Sequence, residues 1–117
     1  MSLKILIVED DLFSANIYQN HLTKAGYISK IATDGRTALD LADSFHPDLI
    51  ILDLILPKID GFTLIHLFKK TPIIIVSNLD QDDDIEKCLS TGAKLFITKE
   101  SINYDKLISE INKLLDH

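Results

Sequence analysis

Three observations predict an α/β fold built on one parallel sheet. Five short runs rich in Ile, Leu and Val recur along the chain, segments with apolar residues at helical spacing follow them, and Gly, Pro and short polar residues punctuate the joints. Strands alternating with helices require right-handed crossovers and helices on both faces of the sheet. Five such units predict a single doubly wound (βα)5 domain over residues 1–117, with strand order 2-1-3-4-5.

The first strand is expected within the apolar run Met1 to Val8, over Leu3–Val8, and the helix after it carries Ala15, Tyr18, Leu22 and Ala25 on one face. Gly26 follows that helix, where a left-handed residue is cheap only for glycine. Tyr27–Ala32 reads as the second strand; Asp34 then stands as N-cap of a helix whose inner face is Ala38, Leu41, Ala42 and Phe45. Pro47 precedes a third strand, Leu49–Leu52, and Asp60 caps a short helix with Leu64, Leu67 and Phe68 inward. Pro72 precedes the fourth strand, Ile73–Val76; the next helix packs through Ile85, Cys88 and Leu89 and ends at Gly92. Leu95–Thr98 is the fifth strand, Ser101 a cap, and Tyr104, Leu107, Ile108, Ile111, Leu114 and Leu115 the stripe of the closing helix. The composition of all five runs fits strands buried on both faces.

Composition narrows the function. Of 117 residues, 46% are hydrophobic and 26% charged, the balance of one soluble domain. Twelve Lys and Arg against eighteen Asp and Glu leave a net charge of −6 without a basic stripe, which argues against a nucleic-acid ligand. No apolar run nears the ~18 residues of a membrane span, and no signal peptide is evident. The single Cys88 can form neither an internal disulfide nor a zinc site, so a cytoplasmic protein with Cys88 in its core is expected.

In a 2-1-3-4-5 sheet the winding reverses between strands one and three, and ligands bind outside their carboxyl ends. Glu9, Asp10 and Asp11 follow strand one, Asp53 ends strand three, Ser77 strand four and Lys99 strand five. Taken singly, each has a dull explanation as a cap, a strand end or a solvated charge; the acid run Asp80, Asp82, Asp83 and Asp84 reads that way too. Together they place a buried-strand carboxylate against two or three others, and such charges repel unless something positive joins them. Hard oxygen ligands suit Mg²⁺, with Mn²⁺ as an alternative; no EF-hand loop favours Ca²⁺, and no glycine-rich turn favours a dinucleotide. Beside a cation, Asp53 can act as a carboxylate nucleophile toward phosphorus, Ser77 as donor to one phosphoryl oxygen and Lys99 as partner of another.

The ordered set Val8-Glu9-Asp10-Asp11, Asp53-Leu54-Ile55-Leu56-Pro57, Asp60-Gly61, Ser77, Gly92-Ala93, Phe96 and Lys99 spans the chain and resembles the receiver domain of bacterial two-component response regulators, a flavodoxin-like fold. The resemblance implies that Asp53 is the phospho-acceptor, that Glu9 and Asp10 hold Mg²⁺ with Asp53 and the backbone carbonyl of Ile55, that Ser77 and Lys99 bind the phosphoryl group, and that Phe96 is the switch aromatic. It also implies a sensor histidine kinase or histidine phosphotransfer protein as donor. An output domain or downstream protein would be met by the face of helix four, strand five and helix five, with Lys94, Tyr104 and Lys106 on it. Ile55, Asn78 and Leu79 would flank the approach to Asp53 and set the lifetime of the phosphorylated state. The chain departs from the family where Glu100 replaces the usual proline, where Asn78 replaces a small residue, in the short Gly61–Pro72 stretch, and at Lys94-Leu95, which replaces an acidic pair of the receivers that dimerise through helices four and five. A phosphatase of the haloacid-dehalogenase type would want a second Asp where Ile55 stands; a receiver reduced to a scaffold would not need the full set of site residues.

Overall fold

The structure is a computed structural model that describes residues 2–68, 70–79 and 81–117. Met1 and Asp80, which belong to two of the runs above, lie outside the described residues. Among these residues the chain alternates strictly: β1 (Lys4–Val8), α1 (Leu12–Lys24), β2 (Ile28–Ala32), α2 (Gly35–Phe45), β3 (Leu49–Leu52), α3 (Gly61–Leu67), β4 (Ile73–Ser77), α4 (Asp82–Thr91), β5 (Leu95–Thr98) and α5 (Tyr104–Leu115). The strands pair in parallel in the order 2-1-3-4-5, the predicted topology.

The two faces of the sheet bury separate cores. Leu6, Val8, Ile50, Leu52, Ile73 and Ile75 pack against α2, α3 and α4 through Ala38, Leu64, Ile65, Phe68 and Cys88. Ile5, Ile7, Leu49, Ile51, Ile74 and Val76 face α1 and α5 through Ala15, Tyr18, Leu22, Leu107 and Ile111. Alternation along each strand sends neighbours to opposite faces, so apolar residues at successive positions serve both layers. That holds for the central strands, fully buried apart from Lys4 at the start of β1. It does not hold at the edges: β5 is half-buried throughout, and β2 exposes Ile28 and Lys30, because an edge strand has a neighbour on one side alone.

Caps set the helix boundaries. Asp11, Asp34 and Asp60 accept from the backbone N–H of Phe13, Thr37 and Thr63 and so start α1, α2 and α3. Gly26, at φ 92°, lets its own N–H reach Thr23 O and the Tyr27 N–H reach Leu22 O, a Schellman stop for α1. Gly92, at φ 135°, ends α4.

Ser101 is not the cap of α5. Lys99–Ser101 forms a 3₁₀ turn instead, and the Asn103 side chain accepts from the Lys106 N–H at 3.0 Å. The inner faces of the two shortest α-helices also differ from expectation, as Leu67 and Leu89 are 51% and 45% exposed. Ile65 takes the inward place in α3, and Cys88 is the buried residue of α4. α3 has seven residues, in keeping with the shortened Gly61–Pro72 stretch.

Candidate phosphoryl-transfer site

Four strand ends deliver the candidate residues to one rim. The Glu9 N–H donates to Ala32 O and the Asp53 N–H to Val8 O, both at 2.9 Å, so each carboxylate begins where its strand's ladder ends. Glu9, Asp53 and Ser77 are the buried polar side chains among the core residues. Burying a carboxylate demands compensation, and Lys99 supplies it. From the end of β5 its Nζ reaches Asp53 Oδ2 at 3.1 Å and Glu9 Oε1 at 2.5 Å. The remaining oxygens meet backbone: Asp11 N–H donates to Glu9 Oε2 and Ile55 N–H to Asp53 Oδ1, each at 3.2 Å.

The electrostatics follow from this crowding. Burial pushes the Glu9 carboxyl up to about 7; the Asp53 charge adds to the rise, while Lys99 and the Asp11 amide oppose it. Burial alone would lower Lys99, but its hydrogen bonds to Glu9 and Asp53 and their charges overcome that and hold it firmly protonated.

Carboxylate oxygens of Glu9, Asp10 and Asp53 lie within 4.8 Å of one another. Glu9 Oε1 is buried against the Lys99 ammonium. An all-oxygen set of three clustered carboxylates fits a hard divalent cation. Asp11, fourth in the acid cluster, is occupied elsewhere: its carboxylate accepts from Ser14 Oγ at 2.7 Å and from the Phe13 N–H, and these bonds hold its pKa below the ordinary value. A short acceptor directly before a helical stripe is an N-cap signal, and it could have separated Asp11 from Glu9, Asp10 and Asp53.

Ser77, at the end of β4, is fully buried, and its Oγ accepts from the Leu79 N–H at 3.4 Å. Phe96 on β5 is half-buried against the α2–α4 core and lines a cleft of about 240 Å³ with Leu95, Thr98, Asn103, Lys106 and Glu110. Tyr104 is not on that face. Its ring stacks on His21 of α1, centroids 4.4 Å apart, and packs in the α1–α5 core. Around Asp53, Ile55 is 58% exposed, Asn78 is exposed and Leu79 half-buried. The Lys99–Glu100 peptide is trans and enters the 3₁₀ turn directly.

An acidic trio and a lysine at the carboxyl edge of a doubly wound sheet set this domain apart from the dinucleotide-binding ones. The response regulator receiver domain family model matches residues 5–112, and the chain belongs to that family, part of two-component signal transduction. One curated relative, the DNA-binding dual master transcriptional regulator RpaA of Synechocystis, is 32% identical over 96% of this chain and 48% of its own length. The chain spans about half the length of such relatives. Among solved structures, the Francisella response regulator 1452 receiver domain superposes with TM-score 0.91 at 30% identity, covering 98% of each chain. A CheY-like receiver domain protein from Methanospirillum hungatei gives 0.91 at 26% identity, over 99% of this chain and 95% of its own. Among the described residues no helix is long and apolar enough to cross a membrane.

Proposed function

We propose that this domain accepts a phosphoryl group on Asp53 from a sensor histidine kinase or a histidine phosphotransfer protein. The observation that carries the reading is a buried carboxylate, Asp53, clustered with Glu9 and Asp10 and bonded to Lys99. Mg²⁺, or Mn²⁺ in its place, would be held by Glu9, Asp10, Asp53 and the Ile55 carbonyl, and supplies positive charge that offsets the carboxylates and the phosphoryl oxygens. Asp53 attacks phosphorus; an O–P bond forms as the N–P bond of the phosphohistidine breaks, and the imidazole nitrogen keeps the electron pair. Lys99 pairs with one phosphoryl oxygen and the Ser77 hydroxyl donates to another. Movement of Ser77 opens space for the Phe96 ring, and the face of α4, β5 and α5, with its cleft and Lys106, passes the change to an output domain or downstream protein. The buried thiol of Cys88 suits a cytoplasmic setting. The test is intact mass after acetyl phosphate treatment with Mg²⁺: one added phosphoryl in the parent chain, none in Asp53→Asn and none with chelator. Label on Asp53→Asn refutes the assignment.

A further inference from the structure

The loop between β3 and α3 carries Ile55, and the structure ties that loop to a part of the molecule outside the acidic trio. Lys58 stands in it at φ 74°, the left-handed region that favours glycine; among the described residues the other two non-glycine residues with positive φ, His46 and Asp116, are helix C-caps. Here no helix end explains the conformation. What Lys58 has that glycine lacks is a charge: its Nζ lies 3.6 Å from Asp34 Oδ2. Asp34 is fixed in its own right, since Oδ1 accepts from the Thr37 N–H at 2.7 Å and starts α2.

Two backbone features run alongside this ion pair. The Gly35 N–H donates to Pro57 O at 3.3 Å, and Gly35 sits so close to the loop that a Cβ there would fall 2.6 Å from Ile59 Cβ and 2.8 Å from Ile59 O. The loop is thus seated on the first turn of α2 on one side, while on the other Ile55 N–H is bonded to Asp53 Oδ1. A backbone carbonyl can serve as a ligand only if its peptide is held in one orientation, and Ile55 lies three residues from Lys58.

We propose that Lys58 is a positioning residue for the cation site: by pairing with Asp34 it anchors the β3–α3 loop to α2 and fixes the Ile55 peptide. The inference rests on the reading of Glu9, Asp10, Asp53 and the Ile55 carbonyl as the ligands of a divalent cation. It makes α2, which contributes no ligand, part of what sets the affinity of the site.

The test measures Mg²⁺ affinity by titration calorimetry on the whole chain, with thermal melts run in parallel. Lys58→Met keeps the side-chain length without the charge, and Asp34→Asn keeps the capping oxygen without the charge. A pair of this kind, exposed at its lysine end, predicts Mg²⁺ binding about two- to fivefold weaker in either variant, with no further loss in the double variant and with the difference abolished in 0.5 M NaCl. Lys58→Arg restores the parent affinity. Lys58→Gly separates positioning from folding: the backbone strain is relieved, so the melting temperature does not fall, yet Mg²⁺ binding weakens as in Lys58→Met. Unchanged affinity in Lys58→Met and Asp34→Asn, or losses that add in the double variant, overturn this inference and leave the ligand assignment standing. Failure of the parent chain to bind Mg²⁺ overturns the ligand assignment and the inference together.

Discussion

Replacing Gly61 by alanine adds one methyl group at the tightest place beside the candidate acceptor. Gly61 opens α3, and a Cβ built on it would lie 2.5 Å from Leu54 Cα and 3.0 Å from Leu54 O and Cδ2. The nearest obstacle is backbone, so rotating a side chain does not clear it. Restoring ordinary contact requires α3 and the Leu54 peptide to separate by about 1 Å, and overpacking of that kind costs about 1–3 kcal/mol. Helix propensity returns at most about 1 kcal/mol, because Gly61 has no unusual φ that alanine would find strained. The net loss is about 1–2 kcal/mol, a fall in melting temperature of about 4–8 °C for a chain of this size. Leu54 follows Asp53 directly and accepts the Gly61 N–H at 3.1 Å, so the strain is transmitted to the acceptor and phosphorylation by acetyl phosphate slows as well. Circular dichroism melts and a time course of intact mass measure both effects. Gly26→Ala is the control: nothing lies within 4 Å of its Cβ, but φ of 92° strains an alanine, so stability falls while the phosphorylation rate does not. A Gly61→Ala chain as stable as the parent, or destabilised with an unchanged rate, refutes the steric argument.

Three further outcomes are expected. Ile55 and Leu79 offer no group to orient a hydrolytic water, so the phosphorylated state decays slowly, and Ile55→Asn with Leu79→Glu speeds its decay in a phosphate-release assay; rapid decay in the parent chain contradicts this. Without divalent cations, the raised pKa of Glu9 gives stability that is full below about 4.5 and lost as pH rises through about 7, while the depressed Asp34 and Asp60 caps lose theirs as pH falls below the ordinary aspartate value. Urea unfolding should therefore show greatest stability at mildly acid pH, and a continuous rise from pH 5 to 8 counts against it. Cys88, fully buried and with its thiol pushed up to about 11 by that burial, reacts with a thiol reagent at pH 8 at the rate of local opening, so that label uptake accelerates with urea; rapid labelling in native buffer excludes it.

The features legible in the sequence were those fixed by local chemistry. The runs in β1, β3 and β4 could be placed because strands covered on both sides admit almost nothing but Ile, Leu and Val, and Asp34 and Asp60 announced their helices because capping needs a short acceptor at one position. What escaped was decided by contacts distant in sequence. Leu67 and Leu89 have helical spacing, but in helices of seven and ten residues the spacing does not say which stripe the sheet will cover. Tyr104 turned to α1 because His21, eighty-three positions earlier, offered a ring to stack on. Asn103 displaced Ser101 as a cap because three residues were taken up by the turn after Lys99. At the site, the family resemblance indicated which carboxylates would meet, whereas the Lys58–Asp34 pair joins two loops that the sequence keeps apart.

The reach of Lys99 has a mechanical side. β5 is separated from β1 by β3 and β4, and the lysine at its end spans that distance to grip Asp53 and Glu9 together. It works as a tie-rod from the rim of the sheet to its middle, loaded in tension by two negative charges at the inner end. β5 is half-buried along its length and is retained by less packing than the strands inside it. The phosphorylation proposed at Asp53 would alter the pull on the rod, and the part with most freedom to respond is the loosely seated outer strand. Charge at the centre of the sheet would thereby become displacement at its margin, with no hinge required between them.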